Sequence, residues 1–428
     1  MAAAHSNFRR VGYLLSRYPA VSHTFFLKEV LGLRQRGVMV EVASVNPPDR
    51  LRSELPPIEA EEADRTFYVK QFSLLKGMLR VLSVALQHPL AVLRGLAAAL
   101  QLGGWDFKSR AFTFFYLAEA LLVGDWMRRR SLAHLHVHFG GAVASVGMLT
   151  AKAWKISWSL TLHGPDEFFD ESHFFLRQKI ESASFVICIS DFCRSQVARI
   201  TPGVDDDRLE TVRLGVDCAS LRPLDTDDAS ARQSAGGSTR SVLKLACTGR
   251  MVPAKGHRVL LGALALLQES GVEFSCALIG DGPERLFLQE MAQRLRIANR
   301  VQFLGAMAHE PTLSALSQAD VFVLASFAEG LPVALMEAMA LGIPCISTTI
   351  AAIPELIHDR ENGLLVPPAN TAALYEALSR LAIDRELRLR LGGAARATVE
   401  AHYNLARNLN SLNEVWSRRL SRKTFGSD

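Results

Sequence analysis

The sequence predicts an α/β protein built from two doubly wound, Rossmann-like domains, and three observations carry that prediction. Short apolar runs of strand length alternate with segments of helical period. The alternation occurs twice, before and after a polar Gly- and Ser-rich stretch at 225–241 that reads as an exposed linker. The chain has 428 residues, 49% hydrophobic and 21% charged, which is enough for two cores and too apolar for disorder.

The elements follow in order. Residues 11–15 form a short apolar run read as a strand, and 16–24 hold Pro19 and several hydroxyls, as a loop does. At 25–36, Phe26, Val30 and Leu33 recur at helical spacing before Gly37 stops the helix. Residues 38–45 alternate as a strand, ended by Pro47 and Pro48. Residues 65–130 are helical in pattern and basic, with ten Lys or Arg against three acids. Two readings of them stand. They are basic amphipathic helices lying in an anionic membrane interface, or helices covering the sheet with a solvated basic face outward. Strands follow at 135–139, 159–162 and 185–189, each ending in a polar loop. His138, His163 and Ser190 occupy such positions, where open α/β sheets collect ligands.

Beyond the linker the pattern predicts strands at 243–248, 274–279, 301–304, 321–324 and 344–347. Helices are predicted between them at 257–269, 284–295, 312–317 and 333–341, and helical sequence closes the chain at 374–401 and 405–420. The expected domains are 1–224 and 242–404, with 405–428 a helix packing back on the first. Two facing domains imply an inter-domain cleft, where small-molecule sites usually lie.

Charge and cysteine usage narrow the classes. The net charge is +5, with 26 Lys or Arg against 21 acids up to Gly215 and 22 against 22 beyond it. So small an excess does not mark a nucleic-acid binder. The six cysteines show no C-x-x-C spacing, so they read as buried, reduced core residues of a cytoplasmic protein. No signal peptide is read at the N-terminus. Residues 81–102 are broken by Gln87, His88, Pro89 and Arg94, so they are not expected to span a bilayer.

Three constellations carry chemistry. In Ser326–Glu337, Glu329 precedes a Gly330-Leu331-Pro332 turn and a helix start, whose N–H groups suit phosphate. Glu337 follows eight residues after Glu329. Two carboxylates beside an anion site repel phosphate, and serve better as acceptors from hydroxyls of a ribose and a sugar. The alternative is one Glu favoured by the helix dipole and one on the surface. The second constellation runs from Gly249 to Gly256, where Arg250 and Lys255 share one loop after a strand and suit a diphosphate. Two solvated loop cations are the competing reading. The third is His163-Gly164-Pro165-Asp166, a histidine at a strand end, read equally as structural or as directed into the cleft.

Together these segments make the sequence resemble the family-4 retaining glycosyltransferases of GT-B fold. The resemblance rests on Glu329 and Glu337, on Gly249–Gly256, on Gly280-Asp281-Gly282-Pro283 and on the segment from Glu361 to Pro367. It implies that Arg250 and Lys255 bind the donor diphosphate and that Glu337 binds the ribose. It further implies that Glu329 and the Gly330–Pro332 backbone hold the donor sugar, approached by His163 from the acceptor domain. The segment Tyr18–Phe25 is similar to the acceptor loop of exopolysaccharide and colanic-acid-type transferases, with Ser22, His23 and Thr24 on the acceptor side and His23 where glutamate is usual. The implied partners are a nucleotide-sugar donor and a glycan or lipid-linked oligosaccharide acceptor. No cofactor or metal is implied, and the implied place is the cytoplasm, at the inner membrane face.

Two other functions compete: a non-catalytic glycan- or nucleotide-sugar-binding subunit, and a nucleotide-sugar epimerase or hydrolase on the same fold. Gly280-x-Gly282-x-x-Arg285 lacks the third glycine of a dinucleotide fingerprint. Asp205–Asp207 and Asp225-Thr226-Asp227 lie in polar connecting sequence and are read as solvated loops.

Overall fold

Among the described residues, thirteen strands form two parallel sheets. The computed structural model describes residues 9–20, 24–71, 73–102, 107–170, 174–223 and 242–421. The chain divides into two units, one of Met1–Val212 with Leu409–Asp428 and one of Arg213–Asn408. The expected linker at 225–241 lies outside the described residues.

The first sheet contains β1 (Arg9–Arg17), β2 (Val38–Asn46), β3 (Phe67–Tyr68), β4 (His134–His138), β5 (Ser157–Leu162), β6 (Val186–Cys188) and β7 (Leu209–Thr211). Their order across it is β3-β2-β1-β4-β5-β6-β7. The second contains β8 (Leu243–Thr248), β9 (Phe274–Ile279), β10 (Val301–Gly305), β11 (Val321–Leu324), β12 (Cys345–Thr348) and β13 (Leu364–Val366), in the order β10-β9-β8-β11-β12-β13. Both orders start from a central strand, wind outward to one side and then to the other. That is the doubly wound arrangement, and its switch point lies beside β1 and β4 in one sheet and beside β8 and β11 in the other. Helices cover the faces, so the strands read as near-continuous apolar runs. Val321–Leu324, for example, is buried throughout.

Several elements differ from the sequence reading. The short strands β3, β7 and β13 are not among the expected ones, because two or three residues carry no period. The helical stretch expected at 374–401 is two helices, Thr371–Ile383 and Arg385–His402, broken where the Asp384 side chain accepts from the Leu387 N–H at 2.8 Å and caps the second. Residues 213–223 belong with the second unit, ahead of the expected boundary at 224. Val216 N–H donates to the Tyr403 carbonyl at 2.9 Å, and Arg396 donates to the Leu221 carbonyl at 2.7 Å. All six cysteines are free and buried.

Within the first unit, Trp416 on helix Leu405–Ser421 is wholly buried against Tyr13, His134 and His136. Residues 65–130 fold as helices Leu74–Gln87, Pro89–Leu102 and Phe107–Arg129 after a strand of two residues. Helix Leu74–Gln87 turns its apolar stripe outward: Leu75, Met78, Leu79, Leu82 and Leu86 are all exposed, while Val84 is buried. No single helix among the described residues is long and apolar enough to cross a membrane, and Leu75–Gln87 bends by 109° against Pro89–Leu102.

Candidate active site

In the second unit the site is assembled at the switch point. β8 delivers the chain into the loop that carries Arg250 and Lys255. A one-turn 3-10 helix, Pro253–Lys255, precedes Gly256, which adopts φ 65° and starts helix His257–Glu269. A side chain at Gly256 would place its Cβ 1.8 Å from the Ala325 carbonyl oxygen, just past the end of β11. Only glycine meets both demands, the left-handed turn and the close approach. The Phe327 N–H donates to the Ala254 carbonyl at 2.7 Å, so the two loops are bonded directly.

That seam brings Lys255 to Glu329. The ammonium donates to Glu329 Oε1 at 2.6 Å, and the buried Ser326 hydroxyl donates to the same oxygen at 2.7 Å. Glu329 is 6% exposed, while Lys255 is 22% exposed along its side chain, so the ion pair lies at the edge of the solvent. Gly330, Leu331 and Pro332 follow, and Pro332 caps helix Val333–Ala340 without a side-chain hydrogen bond. Pro332 therefore brings no side-chain acceptor to the N–H groups of the first turn, the feature that suits an anion there. Glu337, on the same helix, is also 6% exposed, and its Oε1 is 2.8 Å from His309 Nε2. The second oxygen of Glu329 and of Glu337 has no hydrogen-bond partner among the described residues.

The unit therefore brings together Gly249, Lys255, Glu329, Gly330, Leu331 and Pro332 along one seam, with Glu337 on the helix that follows. Arg250 stands beside them on the loop, exposed, with no acidic partner among the described residues. His309 and Ser326 join the site without being expected from the sequence. A histidine just beyond β10 is the signal that could have found one of them, since strand ends are where side chains converge. The glycines of Gly280-x-Gly282 serve packing: a Cβ would lie 2.0 Å from the Gly249 carbonyl oxygen at Gly280 and 2.5 Å from the Met251 one at Gly282.

The first unit has its own polar cluster at the ends of β4 and β5. His163 is 6% exposed, with its Nε2 2.9 Å from Nδ1 of the buried His138. Asp166, expected on the acceptor side, is exposed, whereas its neighbour Glu167 is buried. Glu167 accepts from the backbone N–H of His163 at 2.8 Å, of Gly164 at 3.1 Å and of Gly140. Burial raises its carboxyl to about 7 against those stabilising donors. Lys179, pushed down to about 7 by burial, donates to the Gly140 and Gly141 carbonyls at 2.7 and 2.8 Å. This pair braces the two loops that follow β4 and β5. Thr24 is half-buried at the start of helix Thr24–Gln35, and Ser22 and His23 lie outside the described residues.

The Asp-rich segment at 205–207 is structural. Asp205 accepts from the Asp207 N–H at 3.0 Å, and Asp206 pairs with Arg194 at 2.6 Å. Asp225 and Asp227 lie outside the described residues. Among the described residues no group of three His, Cys, Asp or Glu is placed to hold a metal ion.

Comparison with known proteins agrees with this arrangement. Residues 237–398 match the family model for glycosyl transferases group 1. The chain is 26% identical over 418 residues to WcaL of Escherichia coli (strain K12), provisionally named a colanic acid biosynthesis glycosyltransferase, covering 92% of this chain and 96% of that one. It is 25% identical over 425 residues to the amylovoran biosynthesis glycosyltransferase AmsK of Erwinia amylovora, covering 96% and 99%. Among solved structures, Anabaena HepE in complex with UDP-glucose superposes with a TM-score of 0.70 at 18% identity, over 96% of this chain and 99% of that one. That likeness is one of fold, and it bears out the GT-B class expected from the sequence.

Proposed function

We propose that this chain, whose residues 237–398 match the family model for glycosyl transferases group 1, moves a sugar from a nucleotide-diphosphate donor to an acceptor hydroxyl with retention at the anomeric carbon. One observation carries the reading. Lys255, Glu329 and the helix start after Pro332 lie along one seam, with Glu337 on the same helix. Lys255 and Arg250 take the diphosphate, and the helix N-terminus adds its dipole. Charge grows on the diphosphate as the anomeric C–O bond breaks, so these cations stabilise the transition state more than the bound donor. The acceptor oxygen then bonds to the anomeric carbon, and its proton passes to the leaving phosphate oxygen. Glu329 Oε2 accepts from the donor sugar, Glu337 from the ribose, and His163, with Asp166 and the 22–24 segment, serves the acceptor side. The chemistry uses no metal or cofactor.

A thermal-shift screen of nucleoside diphosphates and their sugars tests the donor. A bound donor raises the melting temperature by mass action. Glu337→Gln removes a charged acceptor and is expected to weaken the responding nucleotide by about 10–100-fold. Equal affinity in the variant removes Glu337 from the ribose role.

The acceptor we propose is a lipid-linked oligosaccharide of exopolysaccharide synthesis, met at the inner face of the cytoplasmic membrane. The support is helix Leu74–Gln87, whose exposed leucines flank Lys76 and Arg80 and which carries no acid. Such a face matches an anionic lipid surface. The protein is expected to co-sediment with phosphatidylglycerol vesicles at low salt. Leu79→Glu with Leu82→Glu should release it without unfolding it, because both side chains are exposed. Indifference to those vesicles counts against the membrane reading and leaves the donor reading intact.

A further inference from the structure

A buried carboxylate needs a partner, because an unpaired charge in the interior is costly. Glu329 and Glu337 meet that need in the same way. Each is 6% exposed, and each is held through Oε1. Lys255 and Ser326 hold Glu329, and His309 holds Glu337 with its Nε2 at 2.8 Å. A carboxylate only accepts, so the His309 Nε2–H is the donor.

Oε2 of Glu337 accepts from no group among the described residues, yet it is not sealed in. Oε2 of Glu284 is the contrast, being both without a partner and shut away from solvent. One oxygen of Glu337 is therefore pinned from the protein side, and the other borders space that a ligand can enter.

His309 is itself held in place. It opens helix His309–Leu316, just past β10. Thr312 donates to the Ala308 carbonyl with its N–H at 3.0 Å and with its hydroxyl at 2.9 Å. Thr312 and Leu316 are buried, so the first turn is anchored. The chain leading into it is tied to the end of β9, where the Gly280 N–H donates to the Gly305 carbonyl at 2.8 Å. The His309 side chain is 28% exposed against 8% for Glu337, so the imidazole can be changed without emptying the core.

We propose that His309 is a positioning residue for donor binding. By pinning Oε1 of Glu337 it presents Oε2 to the ribose hydroxyls, so the preference for ribose over a sugar lacking those hydroxyls depends on an imidazole that acts through the carboxylate. The proposal rests on the reading that Glu337 meets the donor ribose. Without the His309 N–H, the nucleotide itself would have to order the glutamate side chain, and that ordering weakens binding.

The test is isothermal titration calorimetry of the full chain with uridine, guanosine and adenosine diphosphates, each beside its 2′,3′-dideoxy counterpart. The wild type is expected to bind one ribonucleotide more tightly than its dideoxy form. His309→Leu should weaken that ribonucleotide by about 10-fold, the scale of one hydrogen bond to a charged group, and leave the dideoxy form unchanged. His309→Gln keeps an amide N–H near the place of Nε2 and should restore the preference, whereas His309→Asn is too short to reach and should not. In a Glu337→Ala background, His309→Leu should have no further effect, because the group it acts through is gone. A His309→Leu protein that melts like the wild type without ligand, and still prefers the ribonucleotide as strongly, overturns the role of His309 and leaves the ribose reading of Glu337 standing. Equal weakening of both nucleotide forms overturns it as well, since that marks a merely structural effect. If the wild type does not distinguish the two forms, the ribose reading falls and takes the proposal with it.

Discussion

Replacing Lys255 with alanine is expected to lower sugar transfer by about 100–1,000-fold, the range found when one preorganised charge-stabilising donor is removed from an active site. The reason lies in where the ammonium is held. Glu329 and the end of β11 fix it, so its orientation is set before any substrate arrives. A lysine free in solvent would pay the entropy of ordering during the reaction. Arg250, exposed and without an acidic partner among the described residues, has no such anchor, so Arg250→Ala should cost less in kcat and more in donor affinity. Steady-state kinetics with the donor found in the thermal-shift screen separate the two. Transfer by Lys255→Ala within a few-fold of wild type would remove the diphosphate role, because no other lysine shares that loop.

Gly256→Ala should have the largest effect on the fold of the second unit. A left-handed backbone costs an L-residue about 1–2 kcal/mol on its own. Here the added Cβ would also lie 1.8 Å from the Ala325 carbonyl oxygen, a backbone atom that cannot swing aside. The loop must therefore retreat from the end of β11, taking Lys255 away from Glu329 and weakening the Ala254–Phe327 bond. Gly271 provides the control, because it is left-handed at φ 79° and an added methyl there would meet nothing within 4 Å. Gly271→Ala carries the strain without the clash. Urea unfolding should show a clearly greater loss for Gly256→Ala, accompanied by loss of the donor-induced thermal shift. Equal losses in the two variants would sink the close-approach argument.

The second unit is more legible in the sequence than the first. Its strands are short apolar runs punctuated by Gly249, Gly256, Gly280 and Gly330, and the site residues sit one after another on the loops those glycines shape. Local sequence order and spatial order nearly coincide there. His309 is not legible in this way, because its meeting with Glu337 spans 28 residues and depends on which strands are neighbours. In the first unit, Asp166 and Glu167 are both acids beside the same Gly-Pro, and the sequence points to Asp166 as readily as to Glu167. Only the phase of the short helix Pro165–Phe169 decides which one turns inward onto the backbone N–H groups. The alternate histidines of β4 are visible as a period of two. Their partners are not, because nothing local to β5 says that β4 is its neighbour or in which register the two strands pair. The outward apolar stripe of Leu74–Gln87 is partly legible, since its leucines and cations are plain. Which side meets solvent depends on the packing of Val84 inward.

The row in which His134 and His136 of β4 meet the Ser157, Ser159 and Thr161 hydroxyls of β5 also bears on how the chain finds its fold. β4 is buried along its whole length, so Leu135 and Val137 are as acceptable to the interior on one face as on the other. Apolar patterning alone sets such a strand's alignment weakly. A slip of one residue against β5 would set the imidazoles opposite Trp158 and Leu160, stranding their ring nitrogens away from water. Each stranded polar group costs about 1–3 kcal/mol, and the errors accumulate along the strand. The row therefore penalises a misaligned pairing of β4 with β5 that the apolar residues beside it would tolerate.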